Sequence, residues 1–236
     1  MSRNDPFDGE VHTLMFDLYG TLLDMQGGLS AAVTDYLQEK GWAGAPESLV
    51  TTWRRTHSEN SMIDALLHRE HTSYREIGEN ALSYTLEQSG IDYTEDEVRE
   101  LVSVIERLEP FSEVIPALEK LKRGYQLTIF SNGDPDMLER ARSRLRVPFE
   151  RIISAAAAST FKPHVAAYRT AAEVLGAAPE SILFVASHVF DCVGAKAYGM
   201  RSCFVNRRGE PFGDWPYQPD MIVSDLSELG EQLCGR

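Results

Sequence analysis

Val11-His-Thr-Leu-Met-Phe-Asp17 is a short, mostly apolar run that ends on a carboxylate, and Leu18-Tyr-Gly-Thr-Leu22 follows it as a glycine-containing loop. A run of that length, closed by such a loop, reads as a buried parallel strand. Four further runs share the pattern: Tyr125 to Phe130, Ile152 to Ile153, Ile182 to Ala186 and Cys203 to Val205. Helical stretches separate most of them. Ser112 to Leu121 sets Val114, Ile115, Leu118 and Leu121 on one face, with Gly124 as a C-terminal stop. Asp134-Pro135 opens another helix as N-cap and first-turn proline, and residues 164–176 and 190–198 supply two more. Alternation of this kind predicts an α/β fold, a Rossmann-like, doubly wound and mostly parallel sheet.

The stretch from 26 to 108 breaks that rhythm and reads as helix throughout. Thr94-Glu-Asp-Glu97 is a capping box, after which Val98, Leu101, Val102, Ile105 and Leu108 share one face. The expected organisation is a core of residues 1–25 and 109–236 with an inserted all-helical cap domain at 26–108. No internal repeat interrupts it, and the only biased tract is the short Ala155 to Ala158.

Bulk properties narrow the function. Of 236 residues, 43% are hydrophobic and 25% charged, enough to bury a core, and the formal net charge is −13. Such a field repels nucleic acid and anionic membrane surfaces, so neither is an expected partner. It also repels small anions, so a site for one must be locally basic. No apolar run is long enough to span a bilayer. Met1-Ser-Arg-Asn-Asp5 leads into acidic and aromatic residues without a signal-like segment, so a cytoplasmic location is expected. Cys192, Cys203 and Cys234 have no metal-ligand spacing and read as reduced, structural thiols, with a reactive Cys192 the alternative.

In open α/β sheets, ligands bind beyond the carboxyl ends of the strands. Asp17, Ser131, Lys162 and the Ala186 to Asp191 loop all fall there, so four loops converge on one crevice under the helical insert. Alone, Asp17 suits a turn and Asp191 a helix N-cap equally well. Together with a lysine fixed before Pro163 and the donors of Ser131-Asn-Gly133, they suggest a site for an anion.

These pieces resemble the haloacid dehalogenase superfamily, and within it the (S)-2-haloacid dehalogenases. The resemblance runs from about Leu14 to the end and is carried by Phe16-Asp-Leu-Tyr-Gly-Thr-Leu22, Trp53-Arg54, Pro110-Phe-Ser-Glu-Val114, Ser131-Asn-Gly133, Lys162-Pro163 with Tyr168, and Phe184-Val185 leading to Asp191. Phosphatases of the superfamily carry a second Asp two residues after the nucleophile. Here that position is Tyr19, a poor proton donor near pH 7, whereas halide leaves without needing a proton.

The resemblance implies attack by Asp17 on the halogen-bearing carbon, an aspartyl ester, and its hydrolysis to a 2-hydroxy acid with inversion. It makes Lys162 the counter-ion, Thr21 and Tyr168 orienting groups, and Asp191 the group that positions or activates water. Ser131 and nearby backbone N–H groups would bind the substrate carboxylate, and Arg54 with Asn132 the departing halide. Tyr19, Leu18, Phe190, Ser187 and, less centrally, Tyr74 would line the substrate pocket. The loop reads Val-Ala-Ser-His-Val-Phe-Asp, so His188 stands where the subgroup usually has Asn; it can replace that hydrogen bond, act as a base, or signal another substrate. The implied partner is a small anionic haloacid, the implied assembly a homodimer, and no cofactor or metal is expected. His68 and His71 flank Glu70 without making a zinc pattern and read as a solvated helix face. A magnesium-dependent phosphatase with an unusual residue 19, or a non-catalytic anion binder, are the alternatives.

Overall fold

The computed structural model describes residue 7 and residues 10–67 and 70–235; His68 of the His68/His71 pair lies outside them. Six strands form one sheet: β1 (Thr13–Phe16), β2 (Gln126–Ser131), β3 (Arg151–Ser154), β4 (Ile182–Ala186), β5 (Arg201–Val205) and β6 (Met221–Val223). Their order is β3-β2-β1-β4-β5-β6, and every pairing is parallel. The sheet is therefore wholly parallel among the described residues, where the sequence reading allowed a mixed one.

Four helices, α1 (Met25–Glu39), α2 (Pro46–Leu66), α3 (Tyr74–Gln88) and α4 (Glu95–Ser103), and a 3-10 turn at Val104–Arg107 separate β1 from α5 (Val114–Leu121). Then come α6 (Pro135–Arg142), α7 (Val165–Leu175), α8 (Val189–Tyr198) and α9 (Leu226–Cys234) between and after the strands. The capping box forms as read: Thr94 Oγ1 accepts from Glu97 N–H, and Glu97 accepts from Thr94 N–H. β6 and α9 were not foreseen; a three-residue strand is too short to show a period.

Strand residues alternate between two cores, as a pleat with period two demands. Leu14, Phe16, Ile129, Leu183 and Val185 pack on one side, while Met15, Phe130, Phe184 and Ala186 pack on the other with α7 and α8 residues such as Ala171 and Ala195. This is the doubly wound arrangement. The order reverses beside β1, since the chain builds β2 and β3 on one side and β4 to β6 on the other. The carboxyl ends of β1 and β4 diverge there and leave a crevice.

The helical segment leaves and rejoins the sheet at one place. Asp24 N–H donates to Glu109 O and Phe111 N–H to Leu22 O, so the two crossings are tied side by side. A second tie corrects the sequence reading of Asp134. Its backbone takes the N-cap position of α6, but its carboxylate makes no bond to that helix. It accepts instead from Tyr74 N–H at 2.9 Å and Arg75 N–H at 3.0 Å, capping the first turn of α3 across the cavity. Unsatisfied first-turn N–H groups draw in a carboxylate wherever one is near.

Candidate active site

Asp17 is the first residue past β1. Its N–H still bonds Val185 O of β4 at 3.0 Å, so the neighbouring strand fixes its backbone while its side chain enters the crevice. The loop then turns back: Gly20 N–H donates to Leu23 O, and the N–H groups of Leu22 and Leu23 to Leu18 O. Gly20 has φ +80°, and a Cβ there would meet His188 Cε1 at 3.1 Å and Arg54 Nη2 at 3.3 Å. Both the left-handed backbone and the close approach of two site side chains favour glycine. The turn returns Thr21, whose Oγ1 donates to Asp17 Oδ2 at 2.8 Å and accepts from Ser187 N–H at 2.9 Å.

Lys162, only 2% exposed, supplies the cation. Its Nζ donates to Asp17 Oδ1 at 2.9 Å, to Asp191 Oδ2 at 3.0 Å and to Phe130 O at 3.3 Å, which satisfies all three ammonium donors. The rings of Phe130 and Phe184 lie 5.3 and 5.2 Å from it. Its backbone N–H donates to Asn132 Oδ1 at 2.8 Å, which joins the loop after β2 to the lysine. Asp191 does not cap α8; His188 holds the N-cap position and Asp191 sits in the first turn. The second oxygen of Asp191 accepts from Tyr168 OH at 3.1 Å. Ser131 Oγ stands 3.5 Å from Asp17 Oδ1, and His188 Nδ1 3.4 Å from Asp17 Oδ2. The His188 nitrogen is near enough for charge attraction but is not aligned for a hydrogen bond.

Burial alone would raise the Asp17 carboxyl, but the Lys162 charge, helped by His188, holds it well below the usual carboxylate range. Burial likewise opposes the Lys162 charge, and Asp17 and Asp191 overcome it and raise its ammonium. One cation cannot neutralise two carboxylates equally. Burial raises Asp191, Lys162 opposes this, and the Asp17 charge adds to it, leaving Asp191 pushed up. The Tyr19 hydroxyl is raised well above its ordinary value by burial, and Tyr74 adds to this.

A cavity of about 340 Å³ opens in front of Asp17. It brings together Asp17, Tyr19, Arg54, Tyr74, Ser131, Asn132, Lys162, His188, Phe190 and Asp191 of the residues expected from sequence. Tyr19 and Tyr74 stack at 5.9 Å, and His188 stacks on Phe190 at 5.4 Å. Arg54, on α2, reaches in with its Nη1 donating to Gln26 Oε1 at 2.8 Å. Four expected residues stand outside the cavity. Thr21 and Tyr168 are buried behind it, bonded to Asp17 and Asp191. The Leu18 side chain lies in the core, and Ser187 faces a neighbouring groove. Sequence reasoning missed Gln26, His57 and Arg208 on the cavity wall. For His57, the one signal was its place one helical turn after Arg54. His71 is not on a solvated helix face: it follows the end of α2, packs on Phe161 at 4.5 Å, and lies 3.7 Å from Asp64. Burial raises the Cys192 thiol well above its ordinary value, which removes it as a nucleophile.

A family model for haloacid dehalogenase-like hydrolases matches residues 11–199. The chain belongs to that family. This haloacid dehalogenase-like hydrolase is 35% identical to haloacetate dehalogenase H-2 of Moraxella sp. strain B, over 93% of this chain and 96% of that one. It is 31% identical to the (S)-2-haloacid dehalogenase of Pseudomonas sp. strain YL, over 96% and 97%. Among solved structures it resembles the L-2-haloacid dehalogenase of Xanthobacter autotrophicus with chloropropionic acid covalently bound, with a TM-score of 0.83 and 29% identity over 94% and 97% of the two chains.

Members of such a family can carry a divalent cation beside the nucleophile, and among the described residues Asp17, His188 and Asp191 place one ligand atom each within 4.8 Å of one another. The set fits a cation poorly in this hydrolase, because the Lys162 ammonium already bridges both carboxylates at 2.9 and 3.0 Å. A second positive charge there would sit beside a buried ammonium whose donors are all satisfied by Asp17, Asp191 and Phe130 O.

Proposed function

We propose that the protein hydrolyses the carbon–halogen bond of short 2-haloacids, giving 2-hydroxy acids with inversion. The observation that carries this is the state of Asp17: a carboxylate 4% exposed, ionised by Lys162, with a tyrosine rather than an acid two residues on. A poorly hydrated carboxylate is a competent nucleophile. Tyr19, held protonated, is no donor for an alcohol leaving group, and a halide needs none.

Asp17 attacks the halogen-bearing carbon, the carbon–halogen bond breaks, and halide leaves with the bonding pair. Water then adds to the carbonyl carbon of the ester, freeing Asp17 and the 2-hydroxy acid. Asp191, pushed up by burial despite Lys162, is suited to take the proton of that water, with His188 beside it to hold the molecule. Thr21 and Tyr168 orient the two carboxylates. The substrate carboxylate rests on Ser131 and on backbone N–H groups; for Leu18 the backbone is the usable part, since its side chain is in the core. Arg54 and Asn132 receive the halide against Tyr19, Tyr74 and Phe190. Ser187 acts through its backbone N–H on Thr21.

Residues 26–108 serve as the cap that closes this site over the core of 1–25 and 109–236, supported by the paired crossings at 24 and 109. A homodimer is supported by Ile63, Leu66 and Leu67, which are 54%, 70% and 58% exposed at one end of α2. No described helix is long and apolar enough to cross a membrane, and a cytoplasmic location fits the relatives' chemistry. The test is halide release from chloroacetate and from both hands of 2-chloropropionate, with Asp17→Asn as the control. Release from wild type and none from the variant is expected. Folded wild type that releases no halide from any of them, or phosphate release from an aryl phosphate that a chelator abolishes, would overturn the reading.

A further inference from the structure

Arg207 is a largely buried cation to which the dehalogenation steps above give no part. It lies in the loop between β5 and β6, its side chain 13% exposed, and lines the groove beside the cavity rather than the cavity in front of Asp17. That loop is held firmly. Asn206 N–H donates to Val223 O at 2.7 Å, and the Asn206 side-chain amide exchanges two bonds with the Glu210 backbone at 2.9 and 3.0 Å. The guanidinium is fixed in turn by the segment that rejoins the sheet. It sits 3.8 Å from the centre of the Phe111 ring, and its Nη1 pairs with Glu113 Oε1 at 2.7 Å. Two further donors go to one atom: Nε and Nη2 both donate to Thr21 O, at 3.2 and 2.8 Å.

Thr21 is the residue that orients the nucleophile. Its hydroxyl donates to Asp17 Oδ2 at 2.8 Å, while Lys162 holds the other oxygen at 2.9 Å. Together these contacts set the rotation of the carboxylate, and in-line attack on carbon depends on it. The lysine end is anchored by three acceptors. The threonine end stands on a loop whose own N–H groups bond Leu18 O and Leu23 O rather than Thr21 O. A buried carbonyl needs a donor, and a charged donor holds it more tightly than an amide. We propose that Arg207 is a positioning residue for the nucleophile: through the Thr21 carbonyl it keeps the Thr21 hydroxyl on Asp17 Oδ2 and so fixes the attacking carboxylate. It touches neither substrate nor Asp17, and the bonds made and broken are unchanged. The inference rests on the dehalogenase reading.

The experiment times the first turnover, halide release from chloroacetate with enzyme in excess, so that attack by Asp17 is read alone. In Arg207→Ala the rate at saturating substrate should fall by about tenfold to a hundredfold, the usual cost of a slightly misplaced reacting group, with KM kept within about twofold. Arg207→Lys, which keeps a charged donor, should retain part of the rate. Two readouts separate positioning from a structural role. In a Thr21→Val background, where the relay is already cut, the added Arg207→Ala should cost no more than about twofold. Guanidinium chloride, well below denaturing levels, should restore part of the rate to Arg207→Ala, because the neighbouring groove of about 1210 Å³ admits a small cation. Sodium chloride and urea at the same concentration should not. Thermal melts establish that each variant is folded; should Arg207→Ala fail to fold, Arg207→Lys in the two backgrounds decides, and should Thr21→Val fail, the guanidinium rescue decides. A rate for Arg207→Ala within about twofold of wild type overturns the inference, as does an equal loss with and without the Thr21 hydroxyl. Wild type that releases no halide from chloroacetate overturns the dehalogenase reading, and the inference falls with it.

Discussion

Replacing Lys162 with methionine keeps the volume of the side chain and removes its charge from between two buried carboxylates. In the native site the ammonium lies 2.9 Å from Asp17 and 3.0 Å from Asp191. At an effective dielectric of about 20, each contact is worth about 6 kcal/mol of gross attraction. The carboxylate oxygens, within 4.8 Å of each other, would then repel by about 3.5 kcal/mol or more if both stayed ionised. That repulsion alone equals about 2.5 pK units, so one carboxyl of the pair should keep its proton near neutrality. Two consequences follow with opposite pH dependence. In wild type, Asp17 is depressed, so its contribution to stability is present above the unfolded pKa and lost as pH falls through the folded one. Lys162 is raised, so its contribution is present below its unfolded pKa and lost as pH rises through the folded one. In Lys162→Met the remaining pair is raised, the folded state binds the extra proton, and the stability deficit shrinks as pH falls. We expect a loss of about 3–5 kcal/mol at mildly alkaline pH. Turnover should fall by about a hundredfold or more at neutrality, since a protonated Asp17 is no nucleophile. The assays are urea unfolding and halide release across a pH series. A variant as stable as wild type in alkaline buffer, or equally destabilised at every pH, would refute the electrostatic argument.

Other expectations concern the parts that hold this centre. Asp134→Ala removes the carboxylate that caps α3 from across the cavity, and should cost about 1–2 kcal/mol in thermal or urea unfolding, more than loss of its exposed neighbour Asp136. Gly194→Ala places a methyl 2.5 Å from the Tyr168 hydroxyl on a helix that cannot yield, so unfolding should ease by about 1–3 kcal/mol. The same change should slow turnover, because Tyr168 steadies Asp191. Because Lys162 already supplies the positive charge between Asp17 and Asp191, prolonged chelator treatment should leave halide release unchanged, and added magnesium should not raise it.

Much of this protein is set along the chain. Apolar runs closed by turn residues fix β1, β2, β4 and β5, since a strand buried on both faces must be apolar along its whole length. Asp17, Ser131, Lys162 and Asp191 sit just past strand ends or their loops, and parallel winding brings all such ends to one edge. That is why the candidate site is legible without coordinates. What the sequence could not show depends on contacts between residues far apart. Asp134 reads as a cap for its own helix, yet competes better for the N–H groups of Tyr74 and Arg75, some sixty positions earlier. β6 is too short for a pattern and exists because β5 offers it an unpaired edge. His57 reads as one more residue on a helix. Only the packing of Tyr74 and Gly78 against it buries the ring and sets the residue in the cavity wall. Local chemistry determined which groups react; the tertiary structure decided what stands opposite them.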